Sequence, residues 1–193
     1  MPPSMQKPDF GGEQPLSHCH RTQHAVGILS ANGWFASKPL EWQRELCRAG
    51  RRVALAPGQW IYGQGDETNG LCAVLEGALR LEAPLACGHD ALLAILSPPA
   101  IFGLTTNSGL TSRLATARAA RQTTVLLFSN SALEQLAARF PQTTQALNDL
   151  QGQQLGMLVR LAAHLLVSPP LGRIAYRLDQ VASNGVASVS QSD

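Results

Sequence analysis

The sequence predicts an α+β protein in which a small β-roll is preceded by short helices and followed by one long helix. Between residues 51 and 128, turn formers such as Pro57-Gly58 and Asn69-Gly70 interrupt short apolar runs about every eight to twelve residues. This punctuation is typical of an all-β sandwich or barrel. After Ser129 the apolar residues repeat at helical spacing instead. We therefore expect a jelly-roll-like double-stranded β-helix, because such a closure leaves few strand edges exposed.

The region before the roll is expected to be partly flexible. Residues 1–24 are rich in Pro, Gly, Gln and His and are interpreted as a flexible tail. Residues 25–140 are expected to form the roll with its flanking helices, of which two short ones are predicted around Ile28 to Phe35 and Pro39 to Ala49.

Apolar runs between turn signals predict strands at Val53 to Leu55, Trp60 to Tyr62, Leu71 to Leu75, Ala78 to Leu85, Ala91 to Leu96, Leu114 to Ala119 and Thr123 to Phe128.

Two helices are predicted after the roll. Ser131, followed three residues later by Glu134, predicts a capping box for a short helix that ends near Phe140. A second helix is predicted over residues 141–167, beginning at Pro141. At 1.5 Å per residue such a helix spans about 39 Å, which is longer than a small roll needs to cover itself.

The apolar stripe of the long helix predicts a partner chain. Two glycines four residues apart favour close helix–helix contact, because each glycine costs a helix about 1 kcal/mol. Two-fold dimers are the commonest soluble oligomers, so we expect a homodimer through this helix. The residues expected at the dimer interface are Leu150, Gly152, Gly156, Leu158, Leu161 and Leu165.

Composition argues against several other classes of protein. A net charge of +2 is far from the strongly basic balance of a nucleic-acid-binding surface. The apolar runs are much shorter than the roughly 20 residues that cross a bilayer, and the N-terminus lacks a signal pattern, so we expect no membrane association and a cytoplasmic location. The four cysteines contain no C-x-x-C pair and predict neither a disulfide framework nor a thiolate metal site.

Candidate metal and catalytic residues are sparse. His18, Cys19, His20 and His24 form an H-C-H-x3-H pattern, but they fall in the predicted tail without a supporting carboxylate, so we expect no metal site there. A cupin-type metal enzyme would need two or three His and a carboxylate aimed into one barrel, and only His89 falls in the β region. We therefore expect no enzyme activity and no certain cofactor.

Five motifs follow one another along the chain: PGQWIYGQGD at residues 57–66, AVLEGALR at 73–80, IFG at 101–103, RLA at 113–115 and GRIA at 172–175. In order and spacing they resemble the cyclic-AMP receptor protein and FNR (Crp/Fnr) family of bacterial transcription regulators, over about Ser30 to the last residue. The resemblance implies a cyclic-nucleotide-binding-type β-roll, a long dimerisation helix and a winged helix-turn-helix.

The resemblance also implies an effector site, placed at Phe102, Gly103, Leu104, Arg113, Leu114, Ala115, Leu158 and Val159. Arg113 matches the arginine whose bidentate fork holds the phosphate of cyclic nucleotides in the family. The same guanidinium geometry serves a structural ion pair, so both interpretations of Arg113 stay open.

Two departures from the family pattern weaken the cyclic-AMP site. Leu104 stands where the family has a Glu that accepts from the ribose hydroxyl. Leu158 and Val159 fall where the cyclic-AMP receptor has the Thr and Ser that reach the purine. A polar ligand edge left unpaired costs about 1–3 kcal/mol, so cyclic AMP is disfavoured and a less polar anionic small molecule or modified nucleotide is expected.

The expected function is that of the effector-sensing and dimerisation portion of a Crp/Fnr-type regulator with a degenerate phosphate cassette. Residues 168–193 match only the start of the winged helix-turn-helix, and the recognition helix that enters the major groove would follow Asp193. We therefore expect no sequence-specific DNA binding by this chain. The alternative is a stand-alone regulatory β-roll that binds a partner protein without contacting DNA.

Overall fold

A computed structural model describes residues 18–68, 70–85, 88, 90–104, 112–167, 169–172, 174, 175 and 178. Three helices come first: α1 (His18–Leu29), α2 (Gly33–Ala36) and α3 (Leu40–Ala49). The prediction of a tail over residues 1–24 is wrong for residues 18–24, which are the first turns of α1; residues 1–17 lie outside the described residues. The helix is held because Ala25 and Leu29, four residues apart on one face, are both buried in the core.

In the described residues, eight strands form two four-stranded antiparallel sheets, so the predicted α+β class and β-roll are confirmed. The sheet orders are β1-β8-β3-β6 and β2-β7-β4-β5. The strands are β1 (Arg51–Leu55), β2 (Trp60–Tyr62), β3 (Gly70–Glu76), β4 (Leu79–Pro84), β5 (Asp90–Leu96), β6 (Ile101–Leu104), β7 (Thr116–Ala119) and β8 (Thr123–Phe128).

Strand β3 separates two apolar cores. Its residues are buried on both faces, because alternate side chains of a strand point to opposite sides of the sheet. Cys72 and Val74 point into the roll, where they join an inner core between the two sheets. Leu71, Ala73 and Leu75 point outward and join a second core with α1 to α5. The first sheet is therefore covered by helices, and the inside of the roll is a separate compartment.

The helices after the roll begin at other residues than predicted. Helix α4 (Asn130–Arg139) is capped by Ser129, whose hydroxyl accepts from the Ala132 N–H at 3.2 Å. The predicted capping box at Ser131 is therefore wrong: strand β8 ends at Phe128, which places the cap two residues earlier. Helix α5 (Thr143–Val167) begins two residues after Pro141.

In the described part of the chain, the first part of α5 is the part that packs most closely against other elements. Ala146, Leu147 and Leu150 are buried in the outer core, whereas most residues from Gly152 onward are exposed. Within the described part of the chain, no helix combines the length and apolar character needed to span a membrane. Most of the predicted winged-helix segment, residues 168–193, lies outside the described residues.

Candidate functional site

The backbone of Arg113 is hydrogen-bonded to the turn that follows β2. The Arg113 N–H donates to the Asp66 carbonyl at 2.7 Å, and the Gly65 N–H donates to the Arg113 carbonyl at 2.9 Å. The turn is itself closed by the Asp66 carboxylate, which accepts from the Gly63 N–H at 2.8 Å. Two backbone hydrogen bonds thus place Arg113, and a third hydrogen bond closes the turn to which it is attached.

The side chain of Arg113 runs into the roll and is only 5 % exposed. Its Nη2 donates to the Gly70 carbonyl at 3.0 Å. Its guanidinium carbon lies 4.2 Å from the centre of the Tyr62 ring, within the range of a cation–π contact. When it is shielded from water, such a contact is worth about 2 kcal/mol.

Gly103 makes room for this guanidinium. Strand β6 pairs with β3 so that Gly103 lies opposite Leu71 and Phe102 opposite Cys72. The φ of Gly103 is 122°, and a Cβ added there would lie 2.8 Å from the Gly70 carbonyl oxygen and 3.3 Å from Arg113 Nη1. A side chain at position 103 would therefore push against the same groups that hold the guanidinium.

Tyr62, Gly70 and Gly103 surround the guanidinium, and we call these surroundings the Arg113 pocket. The electrostatics of this pocket are those of a cation removed from water. Burial lowers the pKa of Arg113, while Tyr62, Cys72 and Asp66 act in the opposite direction. Burial also raises the pKa of the Tyr62 hydroxyl and of the Cys72 thiol, and Arg113 partly offsets both shifts. The charge of an anion brought to this guanidinium would offset the cost of its desolvation, so the site is suited to bind negative charge.

Comparisons with known proteins agree with this geometry. Residues 52–140 match the family model of the cyclic nucleotide-binding domain. This segment resembles a domain of the cyclic nucleotide-binding type. The resemblance to Crp/Fnr regulators stated from the sequence is confirmed by this match and by the solved structures that follow.

Two solved structures are 26% identical in sequence to the chain. One is the N-terminal domain of a transcriptional regulator from Streptomyces coelicolor A3(2), with a TM-score of 0.57 over 67% of this chain and 93% of that one. The other is the catabolite activator protein of Thermus thermophilus, with a TM-score of 0.61 over 69% of this chain and 62% of that one. FixK2 from Bradyrhizobium japonicum shares the fold at 22% identity and a TM-score of 0.64, over 72% of this chain and 69% of that one. No curated protein sequence matches the chain.

The cyclic nucleotide-binding-type roll brings together only part of the predicted effector site. Phe102, Gly103 and Arg113 meet at one end of the roll, and Ala115 is buried two residues further on. Leu114, in contrast, is exposed to solvent. The side chain of Leu104 lies outside the described residues.

The two predicted effector residues on α5 do not join this pocket within one chain. Leu158 and Val159 are exposed, whereas Arg113 is enclosed by the roll. A role for Leu158 and Val159 in ligand binding would therefore require another surface to cover them.

The predicted dimer interface needs one correction. Leu150 is 4 % exposed and belongs to the outer core of its own chain, so it is not available to a partner. Leu161 is half-buried and stands eleven residues, about three helical turns, after Leu150 on the same face. Leu158 is exposed, and the side chain of Leu165 lies outside the described residues.

An exposed apolar stripe lies on the face of α5 opposite to Leu150. Its members recur at spacings of three and four residues, which places them on one side of a helix. They are Gly152, Leu155, Val159, Ala162 and Leu166. The side chains of the three larger members are 63 %, 59 % and 86 % exposed. A Cβ added at Gly152 would meet no atom within 4 Å, so no close contact in the described part of the chain explains this glycine.

The H-C-H-x3-H pattern of residues 18–24 lies on helix α1. His20 and His24 are one turn apart on an exposed face of the helix. Among the described residues, no group of three or more His, Cys, Asp or Glu side chains is arranged to hold a metal ion. His89, the histidine weighed for a cupin site, lies outside the described residues.

A concave surface lies between α2, the β5–β6 connection and the middle of α5. This groove has a volume of about 1140 Å³, and Gly152 and Gly156 are among its lining residues. It carries charges of both signs: Lys38 and Arg160 line it together with Asp149, whose Oδ2 is 3.6 Å from Lys38 Nζ. The mixed charge distinguishes the groove from the Arg113 pocket, where one buried cation dominates.

Proposed function

We propose that the chain is the effector-sensing and dimerisation portion of a Crp/Fnr-type transcription regulator. The observation that carries this proposal is the buried guanidinium of Arg113 inside a roll that matches the cyclic nucleotide-binding family. The similarity to a transcriptional regulator domain and to a catabolite activator protein supports the regulatory role. The proposal assigns no catalytic step to the chain.

The effector of this proposal is a small anion that is less polar than cyclic AMP. Arg113 would pair with its negative group, since burial lowers the pKa of the guanidinium and an anion would offset that cost. By the family resemblance, Leu104 occupies the place of the ribose acceptor. A ligand with many hydroxyl groups would therefore leave polar atoms unpaired.

The signal of this proposal would pass through α5 to a second copy. The buried start of α5 packs on the same core as β3 and β6, and its exposed half carries the stripe from Gly152 to Leu166. A stripe of large apolar side chains is stabilised when a partner covers it. DNA contact would belong to the helix-turn-helix region that the resemblance implies.

Calorimetric titration of the purified chain with cyclic AMP, and with octanoate as a probe for apolar acids, tests the effector class. We expect no submicromolar affinity for cyclic AMP, and octanoate binding that Arg113→Gln reduces at least tenfold. Arg121→Gln is the control, because Arg121 is an exposed arginine whose Nη2 donates to the Gly77 carbonyl away from the pocket. Submicromolar binding of cyclic AMP, or the lack of any Arg113-dependent octanoate binding, would contradict the proposal.

A further inference from the structure

Tyr62 falls within the motif at residues 57–66, but the predicted effector site did not include it. We propose that Tyr62 is a specificity-determining residue of this site: its ring holds the Arg113 guanidinium against the Gly70 carbonyl and so closes the site to polar anions. The inference deepens the proposed function and rests on Arg113 being the anion-binding group.

A β-bulge turns Tyr62 into the roll. Strand β2 pairs with β7 so that Trp60 lies opposite Arg118 and Tyr62 opposite Ala117, with the register shifted between them. Two steps along β2 therefore correspond to one step along β7, and Ile61 is the extra residue. As a result Ile61 and Tyr62, which would alternate in a regular strand, both pack on the inner core.

The ring and the backbone together occupy the approaches to the guanidinium. Tyr62 covers one face of it at 4.2 Å, the distance of direct contact. Nη2 is engaged by the Gly70 carbonyl at 3.0 Å, and the backbone of Gly103 is close to Nη1. A bidentate contact to an anion needs two parallel N–H groups. Because Nη2 already donates one N–H to Gly70, such a contact must use the remaining N–H groups along the edge beside the ring, and the ring limits the room for the anion there.

The ring itself is held in place by apolar contacts. Tyr62 is buried in the inner core, and its ring centre lies 6.4 Å from that of Phe102 at an interplanar angle of 50°. A ligand that displaces the ring must replace these contacts with its own apolar atoms. The pocket thus favours an anion with an adjoining apolar or aromatic group, and it rejects an anion flanked by hydroxyls.

Replacement of Tyr62 tests this inference as a gain of binding, which a loss of folding cannot imitate. Tyr62→Val replaces one residue that favours strands with another but removes the ring. We expect Tyr62→Val to bind cyclic AMP at least tenfold more tightly than the original chain in calorimetry, and Tyr62→Phe, which keeps the ring, to differ from it by less than about threefold. Adding Arg113→Gln to Tyr62→Val should abolish the gain.

Two further measurements complete the test. Ile61→Ala opens space in the same core without removing the ring, and it should leave cyclic AMP affinity unchanged. Phenylglyoxal, which modifies accessible arginines, should label Arg113 faster in Tyr62→Val than in Tyr62→Phe, as read by mass spectrometry. Unchanged affinity and unchanged labelling in Tyr62→Val would overturn the inference, even if octanoate binding by the original chain still required Arg113. A gain that persists with Arg113→Gln would overturn it as well.

Discussion

Trp42 of α3 and Thr143 at the start of α5 are joined by a buried hydrogen bond. The indole Nε1 donates to the Thr143 hydroxyl oxygen at 2.8 Å, and both side chains are fully buried. A second tryptophan, Trp34, donates from its Nε1 to the Ala146 carbonyl at 2.7 Å. The N-terminal helices thus fix the start of the long helix, and with it the direction in which its exposed half leaves the roll.

Trp42→Phe should destabilise the fold by about 1–3 kcal/mol, because it leaves the buried Thr143 hydroxyl without its donor. Thr143→Val added to Trp42→Phe should recover part of that loss, since both polar partners are then removed. Urea unfolding of the two single variants and the double variant gives the coupling energy. Strictly additive effects would mean that the bond contributes nothing to stability.

Gly103→Ala should destabilise the chain by about 1–3 kcal/mol, since its φ of 122° is disfavoured for a residue with a side chain and the new Cβ would meet the Gly70 carbonyl. Gly58→Ala is the matched control, because Gly58 also has a positive φ, of 82°, but an added Cβ there would meet nothing within 4 Å. In thermal unfolding, the melting temperature of Gly103→Ala should be well below that of Gly58→Ala. Equal melting temperatures would show that the crowding around Arg113 carries no cost.

Stability should fall at alkaline pH, in part through Cys47. Burial raises the pKa of this thiol from its usual 9.0 to about 12, so the unfolded chain loses the proton first. The contribution is fully present below pH 9 and is lost as the pH rises toward 12, at no more than about 1.4 kcal/mol per pH unit. In urea unfolding from pH 8 to pH 11, Cys47→Ala should flatten the slope of stability with pH, and Cys19→Ala, at an exposed position, should not. An unchanged slope in Cys47→Ala would contradict this account.

The sequence predicted most of the strands because their apolar runs are bounded by turn formers. It missed β6 because that strand has four residues, one of them Gly103, and shows no alternation of its own. It placed the cap of α4 at Ser131 because two serines stand two residues apart, and only the end of β8 decides between them. These errors concern where elements begin and end, which depends on strand pairing rather than on local pattern.

The candidate site was harder to predict than the fold. Arg113 and Gly103 were assigned to the site through motifs. Tyr62 also lies in a motif but was not assigned to the site, because it is turned inward by a bulge that depends on strand pairing. Leu150 was assigned to the dimer because the spacing of leucines along a helix does not say which face the chain covers itself. Val159 lies nine residues, about two and a half turns, beyond Leu150, so it faces the opposite way.

Sedimentation velocity tests the central claim, that the chain is a dimeric sensor joined through the exposed stripe of α5. At tens of micromolar protein, we expect a dimer, which has twice the 20.6 kDa chain mass. Val159→Asp, which places a charge in the stripe, should yield monomers. Gln153→Asp places the same charge at an exposed position off the stripe and should leave the dimer intact. A monomeric original chain, or a dimer that tolerates Val159→Asp, would contradict the account.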